Sequence, residues 1–579
     1  MNHSGLFALV MLDGAPVAPE DAIALGFRPD GTSVMARAVD DAMPGAINAE
    51  RSPDRITLLL GYLDEPEVLC ETLGLQSSSD PISLARAGLE RFGADLPAAA
   101  IGEWTLLDWI AESGLTVMSS SARRDPVFFA RHGKLVAIAP SLHRIGKLEW
   151  IDREIDHAGM MASIGHYHLR RSMPDRTILR AVRRLTPGGS MRWDASGERA
   201  GRSCQPAPAH AFGGTIHDAA GETVRLLRRM FHQRLSRIDN AGCLLSGGLD
   251  SSLVAWLIAD QRESGQSVTG FCSAATFGSG LADEFDQART VAEHLAMPLA
   301  AVIPEPGVSP YRPAQAGFGR GAGITLDPRH YLYEALGEAA VGRSISALFD
   351  GSYGEGTVTA HLPLATLRYR LREIARRIAG RPNLSAPFPG VSIARVASQR
   401  LPDFTRELQQ VVTSVPDDDF RAVDPRGPWV FPPGGERRAA PPTELIPGRV
   451  RVELPFRDAR LLNLFASFPA TFMTHGGLDR APARLMLKDR VPEAIRLQRK
   501  GLAFAPDHNL RLKTHAAAAA RRIPEFRRIG VDDWLDLDWL GEALAQMSAQ
   551  GPQGLDSALE IQFTAMTAEF MLWWRTEAF

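Results

Sequence analysis

Lysine is nearly missing from this chain. Of its 64 basic residues only five are lysine (Lys134, Lys147, Lys488, Lys500 and Lys513), against 67 acidic residues and a formal net charge of −3. With no basic excess there is no footprint for a polyanion, so nucleic acid is not an expected partner. Cysteine is scarce too: Cys70, Cys204, Cys243 and Cys272 are scattered without a CxxC pair. That argues against a zinc site or a disulfide framework and for a reducing, cytoplasmic setting. No apolar run approaches the ~20 residues that cross a bilayer, so no membrane partner is expected. Leu6 to Leu12 is apolar but short, and no Lys or Arg precedes it. A signal peptide is therefore not expected. Closed by Asp13-Gly14, this run reads as a first strand entering a hairpin.

What is present is a globular composition. The 579 residues are 45% hydrophobic and 23% charged, enough for sizeable cores in more than one domain. Up to about residue 200 the chain is strand-rich, with short apolar runs at Ile56–Leu63, Thr105–Trp109, Leu115–Ser119, Val127–Ala130 and Leu135–Ala139. Helical stretches at Ile82–Phe92 and Ile155–His168 interrupt them. Gly201 to Gly214 reads as a linker. Val224, Leu227, Phe231, Leu235 and Ile238 then share one helical face. After that, strand and helix alternate: strands at Cys243–Leu245, Val268–Cys272, Leu299–Ile303 and Ile345–Phe349, helices at Asp250–Ala259, Asp283–Leu295 and His330–Ala340. That order predicts a parallel, doubly wound α/β sheet. Arg381 to Pro447 is rich in Pro and Gly, and the tail from Asn463 is helical by periodicity.

The most informative stretch is Leu245-Ser246-Gly247-Gly248-Leu249-Asp250-Ser251-Ser252, an apolar strand running into glycines and then directly into a helix. Glycines let a backbone turn tightly against a ligand. The hydroxyls and unpaired N–H groups of a helix start attract an anion, here a phosphate. Asp250 is placed to hold Mg²⁺ shared with phosphate oxygens. The Lys-Ser/Thr of the ordinary Walker loop is absent, which counts against γ-phosphoryl transfer.

Ser246 to Ser252 resembles the pyrophosphate loop of the asparagine-synthetase-like ATP pyrophosphatases. The resemblance implies ATP cleaved between its α and β phosphates, an acyl-adenylate, and attack by an amine. It extends to Asp283-Glu284 with Ala288 and Ala292, to Leu454-Pro455-Phe456-Arg457-Asp458 (the family's "P-F-x-D" segment), and to Arg480, Arg484, Pro492 and Arg499-Lys500-Gly501. Thr177 through Pro187-Gly188-Gly189, and Arg123-Arg124-Asp125 with Val127-Phe128-Phe129, are similar to the family's N-terminal glutaminase-type domain. It implies an α/β protein: residues 1–205 a degenerate glutamine-amidotransferase-like α+β sandwich, and 206–579 a doubly wound ATP-binding synthetase domain with a helical C-terminal part.

The departures narrow the function. Glutamine-using members carry a cysteine as residue 2, whose thiolate attacks glutamine. Here residue 2 is Asn2 and the first cysteine is Cys70, so no ammonia-releasing chemistry is expected. Members without that cysteine include β-lactam synthetases and lasso-peptide cyclases, which join an activated carboxylate to an amine on the same substrate. A second departure is Phe349-Asp350-Gly351-Ser352-Tyr353-Gly354-Glu355-Gly356. Gly351 keeps the family's loop glycine. Either Glu355 replaces the family's magnesium-contacting Asp, or Tyr353 matches the tyrosine that β-lactam synthetases use to deprotonate the amine. Lys500 falls at the family's lysine position, suited to stabilise charge on the adenylate and tetrahedral intermediate. His166 and His168 have no third ligand spaced for a metal.

The leading expectation is a macrolactam-forming cyclase of a ribosomal lasso peptide. It would adenylate an Asp or Glu side chain of the processed precursor with ATP and Mg²⁺, and partner a leader-peptide protease and a leader-recognition protein. The alternatives are a β-lactam-synthetase-like ligase on a small molecule and an inactive nucleotide- or peptide-binding scaffold.

Overall fold

The structure is a computed structural model and describes residues 5–40, 44–75, 80–123, 126–156, 159–160, 175–203, 211–276, 279–313, 327–360, 444–446, 449–498 and 505–577. Strand periodicity organises the first part into two antiparallel sheets. One holds β1 (Gly5–Met11), β2 (Val34–Val39), β7 (Phe128–His132), β8 (Leu135–Ala139) and β9 (Arg183–Arg184) in the order β2-β1-β8-β7-β9. The other holds β3 (Ile47–Ser52), β4 (Arg55–Leu63), β5 (Gly102–Ile110), β6 (Gly114–Ser119), β10 (Gly189–Asp194) and β11 (Gly197–Arg202) in the order β11-β10-β6-β5-β4-β3.

Alternate residues separate the layers. Leu6, Ala8 and Val10 meet Leu58, Leu107, Trp109 and Val117 between the sheets. Leu59, Trp104 and Leu106 point the other way, onto helices Pro66–Leu73 and Pro81–Phe92. Phe7, Leu9 and Ala137 face outward on the first sheet, into a core shared with helices of the C-terminal tail through Leu512, Leu544, Phe570 and Trp573. The N-terminal sandwich is thus helix, sheet, sheet, helix, and part of its outer layer comes from the far end of the chain.

The second architecture is the expected parallel sheet. Its strands are β12 (Asn240–Leu244), β13 (Ser267–Ser273), β14 (Leu299–Val302), β15 (Ala347–Phe349), β16 (Glu444–Ile446) and β17 (Val450–Glu453), in the order β14-β13-β12-β15-β17-β16. All pairings are parallel except β16 with β17. The first of its helices, Ile216–Leu235, starts on a capping box between Thr215 and Asp218, worth about 1 kcal/mol. Val224, Leu227, Phe231 and Leu235 are buried as expected; Ile238 is buried but lies beyond the helix end.

Some expectations are corrected. β1 does not enter a tight hairpin: a helix, Pro19–Leu25, intervenes before β2 pairs with it. The sequence reading also missed β2, β3, β10, β11 and the helix Pro66–Leu73. β11 extends to Arg202, into the stretch read as a linker. Most of Ile155–His168, with His166 and His168, lies outside the described residues, as do Cys204, Lys500 and nearly all of Arg381–Pro447. Cys70, Cys243 and Cys272 are free and buried. Among the described residues no helix is long and apolar enough to cross a membrane.

Candidate active site

From β12 the chain steps to β13 and β14 on one side, then returns to β15 on the other, so the strand order reverses between β12 and β15. In open α/β sheets the crevice at the carboxyl ends of such strands is the ligand site. Here it is a cleft of about 220 Å³ lined by Leu244, Leu245, Ser246, Gly248, Asp250 and Ser251 after β12. Cys272, Ser273 and Glu284 line it from the β13 side, and Asp350, Gly351, Ser352 and Glu355 after β15, with Arg329 and Tyr333 closing it.

The first loop is held by its own hydroxyls. Ser251 Oγ accepts from Ser246 N at 3.2 Å, lies 3.1 Å from Ser246 Oγ, and donates to Gly248 O at 3.2 Å. Gly247 is obligatory, because it sits at φ +75° and a Cβ there would stand 2.7 Å from Gln287 Cβ. The helix Leu249–Gln261 begins at Gly248 with no side-chain cap. Its first N–H groups, which like those of any helix lack intrahelical acceptors, are met by no side-chain cap from Gly248 and leave the positive end of the dipole open to an anion. Gly247 O accepts from Gln498 Nε2 at 2.5 Å. The Arg484 guanidinium donates to Gln498 O at 3.2 Å. The chain just before Arg499-Lys500 is thereby tied to this loop, while Lys500 itself lies outside the described residues.

The second loop packs directly on Asp250. A Cβ on Gly354 would fall 1.7 Å from Asp250 Oδ1, so any larger residue there would displace the Asp250 carboxylate. The same Asp250 oxygen accepts from Thr359 Oγ1 at 2.7 Å. Asp350 Oδ1 accepts from Ser352 N at 2.7 Å, and the Asp350 amide donates to Glu453 O at 2.9 Å.

Between the two sequence alternatives the geometry is unequal. Glu355 lines the cleft. Tyr353 is not among the lining residues: it is buried in the core with the Arg457 guanidinium 5.8 Å from its ring centre, at φ +74°. Such a backbone costs on the order of 1–3 kcal/mol in a non-glycine residue and persists only where the surroundings enforce it. Of the proposed nucleotide residues, Leu245, Ser246, Gly248, Asp250, Ser251 and Gly351 reach the cleft. Gly247 shapes the turn behind it. Ser252 is fully buried, and its hydroxyl has no hydrogen-bond partner among the described residues; the helix turns it into the core instead of toward a phosphate.

The sequence reading missed Asp350, Glu284, Ser352, Arg329 and Tyr333 as cleft residues. For Asp350 the signal was there: it is the first polar residue after an apolar parallel strand, where such sites form. Arg329 and Tyr333 carry no local signal, because only the return of their helix to the sheet brings them in.

The electrostatics are lopsided. Four carboxylates (Asp250, Glu284, Asp350 and Glu355) and one guanidinium, Arg329, line the described walls. Burial opposes the Arg329 charge, but Asp327, Tyr333 and Asp350 outweigh it and raise its pKa. Burial, with Glu284 and Asp283, pushes the Cys272 thiol up to about 12, so it stays neutral at pH 7 and is no nucleophile. Burial and then Arg329 push His508 down to about 4, leaving it neutral as well. A polyphosphate enters such walls only with cations. Among the described residues no three His, Cys, Asp or Glu side chains converge as a metal cage. Mg²⁺ does not need one, since it is bound through one or two carboxylates plus substrate phosphates. Two of the three lining carboxylates Asp250, Asp350 and Glu355 would suffice for that role.

Residues 222–306 match the family model for asparagine synthase. This stretch runs from the first helix of the parallel sheet through the glycine loop to β14, and it supports asparagine-synthetase-like, ATP-dependent amide-ligase chemistry. No curated protein matches the chain in sequence. Among solved structures it is similar to a glutamine phosphoribosylpyrophosphate amidotransferase from B. subtilis complexed with ADP and GMP, at 12% identity and TM-score 0.22, over 54% of this chain and 64% of that one. A structure described as the allosteric regulatory enzyme of purine biosynthesis is 12% identical over 65% and 72% of the two chains, at TM-score 0.22. The U34-tRNA thiolase NcsA from Methanococcus maripaludis is 15% identical over 30% and 58%, at TM-score 0.18.

Proposed function

We propose that this chain is an ATP-dependent amide-bond ligase that releases AMP and pyrophosphate, and that it closes the macrolactam ring of a lasso-type ribosomal peptide. The observation that carries the ligase reading is the pairing of the uncapped glycine loop with the carboxylate loop Asp350–Glu355 across one cleft at the strand-order reversal. The first loop would hold the phosphates by backbone N–H groups and by Ser246 and Ser251. Asp250 and Asp350 would hold Mg²⁺, which when bound would neutralise phosphate charge and polarise the α-phosphorus. A substrate carboxylate would then attack that phosphorus and expel pyrophosphate, and the substrate's own amine would attack the acyl-adenylate carbonyl, lose a proton and expel AMP.

That amine must be neutral to attack. Glu355, at the cleft wall, is the candidate to accept its proton, and Lys500 the candidate to stabilise the oxyanion. That none of the residues before Cys70 is a cysteine supports an amine supplied by the substrate instead of ammonia from glutamine. Residues 1–205 would then serve as a scaffold. The peptide, with its leader protease and leader-recognition protein, is the finer part of the proposal.

The test is incubation of the full chain with ATP, Mg²⁺ and a leader-free precursor peptide. AMP, pyrophosphate and a product lighter by one water are expected. Turnover of a small β-amino acid instead of the peptide would replace the lasso reading, and no turnover of either with intact ATP binding would leave a scaffold.

A further inference from the structure

Ten charged side chains are packed where the N-terminal sandwich meets the parallel sheet. Arg451, on β17, splits its fork: Nη1 to Asp40 at 3.3 Å and Nη2 to Glu103 at 3.1 Å in the sandwich, and Nε to Glu453 at 3.1 Å on its own strand. Glu453 also accepts from Arg234 Nη1 at 2.7 Å, and Arg234 reaches Asp458 at 3.3 Å. Arg460 joins Asp458 at 2.8 Å to Asp64 and Glu65 of the sandwich, each at 3.0 Å. Arg237 adds a bond to Asp64 at 3.0 Å, its guanidinium lying 4.3 Å from the centre of the Tyr62 ring.

The backbone of the same segment carries the second cleft loop. Residues 451 and 453 are two apart, so their side chains leave β17 on one face, toward the sandwich. Their backbones register β15, with Ala347 opposite Arg451 and Phe349 opposite Glu453. Arg451 N donates to Ser346 O at 2.8 Å, and Asp350 N to Glu453 O at 2.9 Å. Three residues on, Phe456 Cδ2 lies 3.3 Å from where a Gly354 Cβ would be, so this segment backs the loop at both ends. A buried charge cannot be abandoned singly without leaving its partners uncompensated, so the fork of Arg451 fixes where β17 sits. The hydrogen bonds that the Ser246 and Ser251 hydroxyls make among the described residues stay within their own loop.

We propose that the sandwich, lacking the cysteine of its relatives, works as a positioning device: Asp40, Glu103 and Asp64, through Arg451 and Arg460, hold β17 in register and so set the Asp350–Glu355 loop against Asp250. Arg451 and Glu103 are positioning residues, remote from any reacting atom. The consequence for Mg·ATP rests on the reading of the cleft given above; the structural coupling does not.

The experiment is hydrogen–deuterium exchange on the full chain, comparing wild type with Glu103→Gln and Arg451→Lys. Glu103→Gln removes one charge in the other domain, and Arg451→Lys keeps the charge but cannot fork to three carboxylates. In both, amides of 347–356 should exchange at least about tenfold faster, while those of 244–258 stay within about twofold. Equal acceleration of both segments would make the network a general stabiliser and overturn the proposal, as would an unchanged loop. ATP binding is then measured by calorimetry with and without Mg²⁺. The variants should lose most of the Mg²⁺-dependent gain in affinity and keep the metal-free affinity; loss of both in equal measure counts against the proposal. If wild type binds no Mg·ATP, the functional reading fails, and the exchange data still decide the coupling.

Discussion

Ser246–Ser251 and Asp350–Glu355 face each other across the cleft and are held by opposite means. The first is nearly self-sufficient: one hydroxyl, Ser251, makes three of its contacts, a single glycine makes its turn, and a buried helix anchors its end. The second closes on itself through backbone donors, Ser352 N to Asp350 Oδ1 and Gly354 N to Gly351 O, and also leans on its surroundings, on Glu453 O, Phe456, Thr359 and Asp250. A loop that carries its own restraints shows in a sequence as a motif. One restrained from outside shows mainly as a glycine-rich stretch, which is why the order Ser-Gly-Gly-Leu-Asp-Ser-Ser could be read at once, whereas Asp350 was marked only by its place after an apolar strand.

The contrast breaks first where the loops touch. Asp250→Ala should abolish AMP and pyrophosphate formation. Loss of a metal-held phosphate charge is worth several kcal/mol, at least ~10³ in rate at ~1.4 kcal/mol per tenfold. Gly354→Ala should match it, since its Cβ would land 1.7 Å from Asp250 Oδ1. The check is pyrophosphate release from ATP, Mg²⁺ and peptide; ADP as the product, or an unaffected Asp250→Ala, overturns the assignment.

Lys500 comes next. A compact ammonium aimed at charge that develops during reaction lowers the barrier without tightening ATP binding. Lys500→Ala should cost ~10²–10³ in kcat with ATP affinity nearly unchanged, and Lys500→Arg should not restore it, because a planar fork cannot take the place of a point charge. Weakened ATP binding with normal turnover at saturation would make Lys500 a nucleotide contact instead.

The fold was legible wherever local pattern and tertiary environment agreed. β8 matches its apolar run residue for residue, and every strand and helix read between Cys243 and Phe349 is found within a few residues of its expected bounds. What escaped was decided at a distance. β3 (Ile-Asn-Ala-Glu-Arg-Ser) is mostly exposed at a sheet edge, and its apolar alternation is limited to Ile47 and Ala49. The Pro19–Leu25 helix is seven residues long, too short to show a period. Arg451 and Glu453 carry no local signal, and only the sandwich shows why these charges are buried.

The dependence of the second loop on its supports also predicts an acid sensitivity. Burial raises the Asp458 pKa, but Arg460 by hydrogen bond and charge, and Arg234 by charge, more than reverse it, so the net shift is downward. A carboxyl with a depressed folded pKa contributes its full stability above the unfolded value, ~3.9, and loses it as pH falls through the folded value. Wild type should therefore lose stability below about pH 4, and Asp458→Asn should flatten that part of the curve. At pH 7 the variant should be less stable, by less than the ~3–5 kcal/mol of a broken buried pair, because Asp64 and Glu65 still hold Arg460. Thermal melts from pH 3 to 7 measure both; parallel curves for the two proteins would remove Asp458 from the account.

The smallest effect separates two adjacent hydroxyls. Ser251 holds the first loop and lines the cleft, whereas Ser252, one residue on, is fully buried with no partner for its Oγ among the described residues. An unsatisfied buried hydroxyl costs roughly 1–3 kcal/mol, and alanine is the better helix former by some tenths. Against that stands the small void left by one oxygen. Ser252→Ala should thus be neutral or up to about 1 kcal/mol more stable by urea unfolding, with ATP affinity unchanged. Ser251→Ala gives up the contacts to Ser246 and Gly248 and should weaken ATP binding about tenfold, as loss of ~1.4 kcal/mol does. If Ser252→Ala weakens ATP binding as much, its hydroxyl turns to the phosphates when nucleotide binds, and the first loop is less self-sufficient than its hydrogen bonds make it.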